Sequence, residues 1–63
     1  MTGYLELHGN GGGVYYINAK YVSGFYKGKE DLYGGKTLVT MSSGASYVVN
    51  ESVDEIKVMI DKI

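Results

Sequence analysis

Cysteine, proline, tryptophan and arginine are all absent from this chain, and these absences limit how so short a protein can stay folded. Without cysteine there is no disulfide, and a single histidine, His8, does not supply the usual zinc ligand sets. We therefore expect no metal and no cofactor. Sixty-three residues form one domain, 1–63, with a thin hydrophobic core. Because small domains rely on disulfides, metals or partner subunits, self-association is the remaining option.

Every cation of the chain is a lysine, and the formal net charge is −1. Arginine supplies the bidentate fork that reads guanine and clamps phosphate, so its absence, with an acidic balance, argues against nucleic-acid binding. Apolar runs are too short for a membrane-spanning helix, and the first residues do not form a signal-peptide pattern. We expect a cytoplasmic protein with no membrane partner.

The first half of the chain has the pattern of β-strands. Residues 4–8 alternate, with Leu5 and Leu7 on one face and Tyr4, Glu6 and His8 on the other. A glycine-rich turn at 9–13 leads to a return strand at 14–17. Residues 21–26 are predicted as a third strand in which Gly24 marks either a bulge or a close approach of the backbone. The polar residues 27–36 are predicted as a loop.

The second half predicts a hairpin followed by a helix. Residues 37–41 and 45–49 are β-rich and flank a Ser-Ser-Gly turn. Ser52 and Glu55 have the spacing of a capping box, which starts a helix at 52–63. Apolar residues at helical spacing form one stripe on it: Val53, Ile56, Met59, Ile60 and Ile63. The predicted fold class is α+β, with about five antiparallel strands in a small sheet or barrel-like meander and one C-terminal helix.

Residues from position 37 onward form a recognisable pattern: Thr37–Met41, Ser43-Gly44, Tyr47-Val48-Val49, Glu51 through Ile56, and Ile60. Two shorter segments earlier in the chain belong to the same pattern, Asn10-Gly11 and Tyr16-Ile17-Asn18. This pattern resembles the small flagellar FlbD-type proteins. The chain departs from that family in its extra glycines after Asn10, its longer 27–36 loop and its lack of a proline-containing turn before the fourth strand. The resemblance implies an antiparallel sheet closed by a C-terminal helix and a cytoplasmic, non-catalytic role.

One pair of residues has the types needed for acid–base chemistry. Glu6 and His8 lie two apart on one strand face, so their side chains can approach each other. No nucleophile accompanies them, and exposed polar residues are ordinary on a half-buried strand. We predict that the protein is not an enzyme.

Tyrosine is the most informative residue type that is present. Seven tyrosines are too many for the interior of so small a domain. They serve as cover for a thin core, as an interface, or as both. The 27–36 loop contains Leu32 and Tyr33, and neither residue is part of the predicted core. We predict that a contact surface for a partner or second subunit forms from Tyr33, Leu32, Tyr4, His8 and Tyr26. The alternative, that Tyr33 covers the chain's own core, stays open.

These features together predict a non-catalytic interaction module that acts as a regulator or adaptor. We expect it to form a homo-oligomer, with a dimer as the favoured form, and to contact another protein. An alternative is a phage- or mobile-element-encoded inhibitor that binds a host protein or a small molecule. Nucleic-acid binding through stacked tyrosines is the third hypothesis.

Overall fold

The fold is described by a computed structural model covering residues 3–63; the predicted domain begins at residue 1, and residues 1 and 2 lie outside the described part. Five strands follow one another: β1 (Tyr4–His8), β2 (Val14–Asn18), β3 (Val22–Lys27), β4 (Thr37–Met41) and β5 (Ser46–Val49). A helical turn, α1 (Glu30–Tyr33), separates β3 from β4, and a longer helix, α2 (Val53–Asp61), follows β5. The predicted α+β fold with five antiparallel strands and one C-terminal helix is confirmed.

The strands divide between two antiparallel sheets. β1 pairs with β2, while β3, β4 and β5 form a three-stranded sheet in that order. The two sheets meet where Gly9 bridges Val49, and there the Asn50 amide donates to the His8 carbonyl at 2.7 Å. The spatial order β2-β1-β5-β4-β3 therefore leaves β2 and β3 as the outermost strands within residues 3–63.

The core lies between the inner faces of both sheets and α2. Its buried residues come from four strands and the helix: Leu5, Leu7, Ile17, Val39, Val49 and Ile56. The predicted alternation of β1 is confirmed, because Leu5 and Leu7 are buried whereas Tyr4, Glu6 and His8 are exposed. Partly buried apolar residues pack around this cluster, and Phe25, Met41 and Tyr47 are among them.

Helix α2 begins with the predicted capping box. The Glu55 amide donates to the Ser52 hydroxyl at 3.1 Å, and the Ser52 amide donates to the Glu55 carboxylate at 3.2 Å. The regular helix ends at Asp61, so it is shorter than the predicted 52–63. Ile56 is buried on the predicted stripe, but Ile63 lies beyond the last turn and is exposed. The prediction that Ile63 belongs to the packed stripe is therefore wrong.

The segment predicted as a loop at 27–36 contains one helical turn, α1. Gly34 ends this turn in the left-handed conformation, with φ of 60°, where a residue without Cβ is favoured. The third strand runs over Val22–Lys27 rather than 21–26, because Tyr21 belongs to a short 3₁₀ turn, Ala19–Tyr21. The predicted bulge is confirmed, since the β3–β4 register shifts between Val22 and Gly24.

Candidate functional site

The five residues predicted to form one contact surface are all exposed, but they lie on three different elements. Tyr4 and His8 stand on the outer face of β1. Tyr26 is on β3, while Leu32 and Tyr33 are on α1 beside it in the chain. The structure therefore places the first two residues on one face of β1 and the other three on β3 and α1.

The first group belongs to a surface that we call the hairpin face: Tyr4, Glu6, His8, Val14 and Tyr16. Cross-strand partners share a face, and Glu6 pairs with Tyr16 while His8 pairs with Val14. Tyr16 is 65% exposed, the most of any tyrosine in the described chain. Val14 and Tyr16 were not among the predicted contact residues. Both could have been identified from the sequence by pairing β1 with β2 across the turn, since Val14 and Tyr16 then lie opposite His8 and Glu6.

The second group forms what we call the loop face: Tyr26, Leu32 and Tyr33. Tyr26 pairs with Leu38 and shares the outer face of its sheet. A Cβ on Gly28 would lie only 2.6 Å from Leu38 Cδ1 and 3.0 Å from Tyr33 Cδ2, so the Tyr33 ring and Leu38 both pack against this glycine. Leu38 is buried there, away from the main core cluster.

The residues of the loop face differ in whether they cover the chain's own interior or expose apolar surface to solvent. Tyr33 is 40% exposed and packs over Gly28, so part of its ring covers the chain's own interior. Leu32 is 68% exposed on the same helical turn, and Tyr26 is 55% exposed. Leu32 and Tyr26 thus offer apolar surface to solvent, whereas Tyr33 contributes both to packing and to the exposed surface.

His8 forms an ion pair that sequence reasoning missed. Its backbone amide donates to Glu51 Oε1 at 2.8 Å, and its ring Nδ1 lies 2.5 Å from Glu51 Oε2. Glu51 itself is buried at the bridge between the two sheets, whereas the His8 ring is exposed. The partner of His8 is therefore Glu51 and not Glu6. The two residues are 43 positions apart, and no local pattern in the sequence connects them.

This pair shifts both pKa values in directions that favour the charged forms. The hydrogen bond and negative charge of Glu51 raise the pKa of His8 above its ordinary value. Burial acts to raise the pKa of Glu51, but the hydrogen bonds from the His8 ring and amide outweigh it and leave that pKa lowered. The stabilisation is lost as pH rises through the raised pKa of His8, and as pH falls through the lowered pKa of Glu51.

A groove of about 440 Å³ lies between the start of β1 and the end of α2. Its lining is mainly apolar, with one cation and one carboxylate: Gly3, Tyr4, Leu5, Glu6, Met59, Lys62 and Ile63. Within residues 3–63, no three or more His, Cys, Asp or Glu side chains are grouped so that they could hold a metal ion. Nor does this part of the chain contain a helix with the length and apolar character needed to cross a membrane.

Comparisons with known proteins add no relative. No protein family, no curated protein and no solved structure matches the chain. The resemblance to FlbD-type proteins and the inhibitor hypothesis therefore stay predictions, and any functional argument rests on the geometry of the two faces and the free strand edges.

Proposed function

We propose that this chain is a non-catalytic interaction module that self-associates and contacts another protein through exposed tyrosines. The observation that carries the proposal is the exposure of six tyrosines: Tyr4, Tyr15, Tyr16, Tyr21, Tyr26 and Tyr33. Tyrosine is enriched in protein interfaces because its rigid ring offers large contact area with few rotatable bonds to order. A regulator or adaptor in the cytoplasm fits this proposal, and the resemblance to FlbD-type proteins favours the same role.

Self-association is supported by the small size of the core. Only seven apolar residues are buried within residues 3–63: Leu5, Leu7, Ile17, Leu38, Val39, Val49 and Ile56. A domain of about 60 residues removes only about 60% of its unfolded surface from water, so its stability is marginal. A second copy would cover tyrosines that a monomer leaves in solvent and would add buried area that the chain itself cannot supply.

The loop face is the better candidate for contact with a different protein. Tyr33 and the Gly28 backbone pack beside the buried Leu38, whereas Leu32 is 68% exposed, so Leu32 offers apolar surface that the interior leaves largely unused. Exposed aromatic and aliphatic side chains on a rigid sheet are typical anchors, and truncation of such an anchor costs about 2 kcal/mol or more of binding energy.

Two experiments test the two halves of this proposal. Light scattering coupled to gel filtration at micromolar concentration measures the molar mass, and we expect the mass of two chains; the mass of one chain contradicts self-association. For the partner, a photoreactive amino acid placed at Leu32 should crosslink the chain to a protein in its native cell. The matched control carries the same group at Lys57, an exposed position on α2. Equal crosslinking at both positions contradicts the loop face as the contact surface.

A further inference from the structure

Backbone hydrogen bonds in the β1–β2 hairpin determine which groups of β2 face outward. The Gly9 amide donates to the Gly13 carbonyl at 2.7 Å, and the Ala19 amide donates to the Gly3 carbonyl at 2.8 Å. Both pairs continue the register in which Leu7 opposes Tyr15. Bonded and non-bonded pairs alternate in an antiparallel ladder, so Tyr15 and Ile17 are bonded to β1.

The remaining residues of β2 present their backbone to solvent. By the same alternation, the N–H and C=O groups of Val14 and Tyr16 and the N–H of Asn18 point away from β1, while the Asn18 carbonyl accepts the first bond of the 3₁₀ turn that follows. No strand lies on that side within the described residues, because β2 is the outermost strand of its sheet. β2 therefore offers a row of unsatisfied donors and acceptors of the kind that pairs with another strand.

The two outermost strands of residues 3–63, β2 and β3, differ in how their free edges are protected. On β3, a bulge between Val22 and Gly24 breaks the register, and Lys27 places a charge at the end of the strand. Bulges and lysines are the usual devices that prevent edge pairing. β2 has the sequence Val-Tyr-Tyr-Ile-Asn, without charge, proline or bulge. Of the two edges, β2 is the one left open to a partner.

We propose that β2 is the edge through which two copies of this chain associate, paired antiparallel about a two-fold axis. This inference rests on the proposed self-association and adds its location. With the outward-facing residues in register, Tyr16 lies opposite the same residue of the second copy, and Val14 lies opposite Asn18. The opposed Tyr16 residues exchange two backbone hydrogen bonds, and each Asn18 amide donates to the Val14 carbonyl of the other copy, which extends the β1–β2 sheet across both copies.

A second copy of the chain fits this edge because β2 carries no charge. The sequence of β2 is uncharged, so two identical strands meet without like charges directly opposed, which would destabilise the pair. A two-fold axis through Tyr16 also joins the hairpin faces of both copies, so the exposed Tyr16 rings become neighbours. Pairing of β2 with β3 of another copy would instead meet the bulge and Lys27.

Proline at position 16 tests the proposal. The Tyr16 amide faces outward, so Tyr16→Pro removes no bond to β1 and proline is tolerated on an edge strand. We expect Tyr16→Pro to weaken dimerisation by about 100-fold, because the donor is lost twice in a symmetric pair. The matched control, Lys27→Pro, removes an outward amide from β3 and should leave the dimer intact. Far-UV circular dichroism checks that each variant is folded, and Tyr16→Lys takes the place of Tyr16→Pro if the proline variant is not.

The possible outcomes distinguish a failure of the β2 interface from a failure of the proposed self-association. A wild-type monomer at micromolar concentration contradicts both the self-association and the edge. A wild-type dimer that Tyr16→Pro and Tyr16→Lys leave intact contradicts the edge alone, and self-association then stands on another surface. Loss of assembly in both Tyr16→Pro and Lys27→Pro points to β2–β3 pairing and overturns the two-fold arrangement. Loss in Tyr16→Pro alone supports it.

Discussion

Replacement of Ile56 by alanine tests whether α2 closes the core as described. Ile56 is 0% exposed and belongs to the buried cluster that joins both sheets to the helix. Truncation of a buried isoleucine costs about 2–5 kcal/mol of unfolding free energy. A domain of 63 residues has roughly 3–9 kcal/mol in total, taken from the usual range per residue. We therefore expect Ile56→Ala to remove between about a quarter of the unfolding free energy and all of it.

The assay is urea unfolding followed by far-UV circular dichroism, at one fixed protein concentration because association shifts apparent stability. Val58→Ala is the matched control, since Val58 lies on the same helix and is 52% exposed. Surface changes of this kind fall within about 0.5 kcal/mol. If both variants unfold at the same urea concentration, α2 does not pack on the sheets through Ile56 and the account of the core is wrong.

Three further predictions concern local contacts. Ser52→Ala should lower the unfolding free energy by about 1 kcal/mol in the same assay, because it removes the hydroxyl that accepts from the Glu55 amide. Gly28→Ala should cost about 1–3 kcal/mol, since the added Cβ would lie 2.6 Å from Leu38 Cδ1, whereas Gly11→Ala, with nothing within 4 Å, serves as its control. The melting temperature should fall as pH rises through the raised pKa of His8, and His8→Gln should flatten that dependence; an unchanged pH profile in His8→Gln contradicts a role for the Glu51 pair.

Sequence patterns correctly predicted the elements that depend on interactions between residues close together in the chain. The alternation of Leu5 and Leu7 with exposed neighbours placed β1 correctly, because strand geometry sends successive side chains to opposite faces. Ser52 and Glu55 identified the start of α2 for a similar reason, since the capping box is formed within one turn. α1 was missed because four residues are too few to show a helical period, and its N-cap, Lys29, makes no side-chain capping bond.

The parts of the site that sequence reasoning missed depend on contacts between distant segments. His8 meets Glu51 only because the bridge of Gly9 to Val49 brings the ends of β1 and β5 together. The division of the predicted surface into a hairpin face and a loop face likewise follows from the split into two sheets. The exposure of several tyrosines was expected from their number alone. The position of Tyr15 and Tyr16 at a free strand edge could be found only from the register of β1 and β2.

Amide hydrogen exchange at Tyr15 and Tyr16 is the most direct test of the central claim that this chain self-associates through β2. The Tyr15 amide is bonded to β1 in every copy, whereas the Tyr16 amide gains a partner only in the dimer. We expect protection of Tyr16 to rise as protein concentration is raised through the micromolar range, while protection of Tyr15 follows global stability. Rapid exchange of the Tyr16 amide at concentrations where light scattering reports a dimer would contradict the claim.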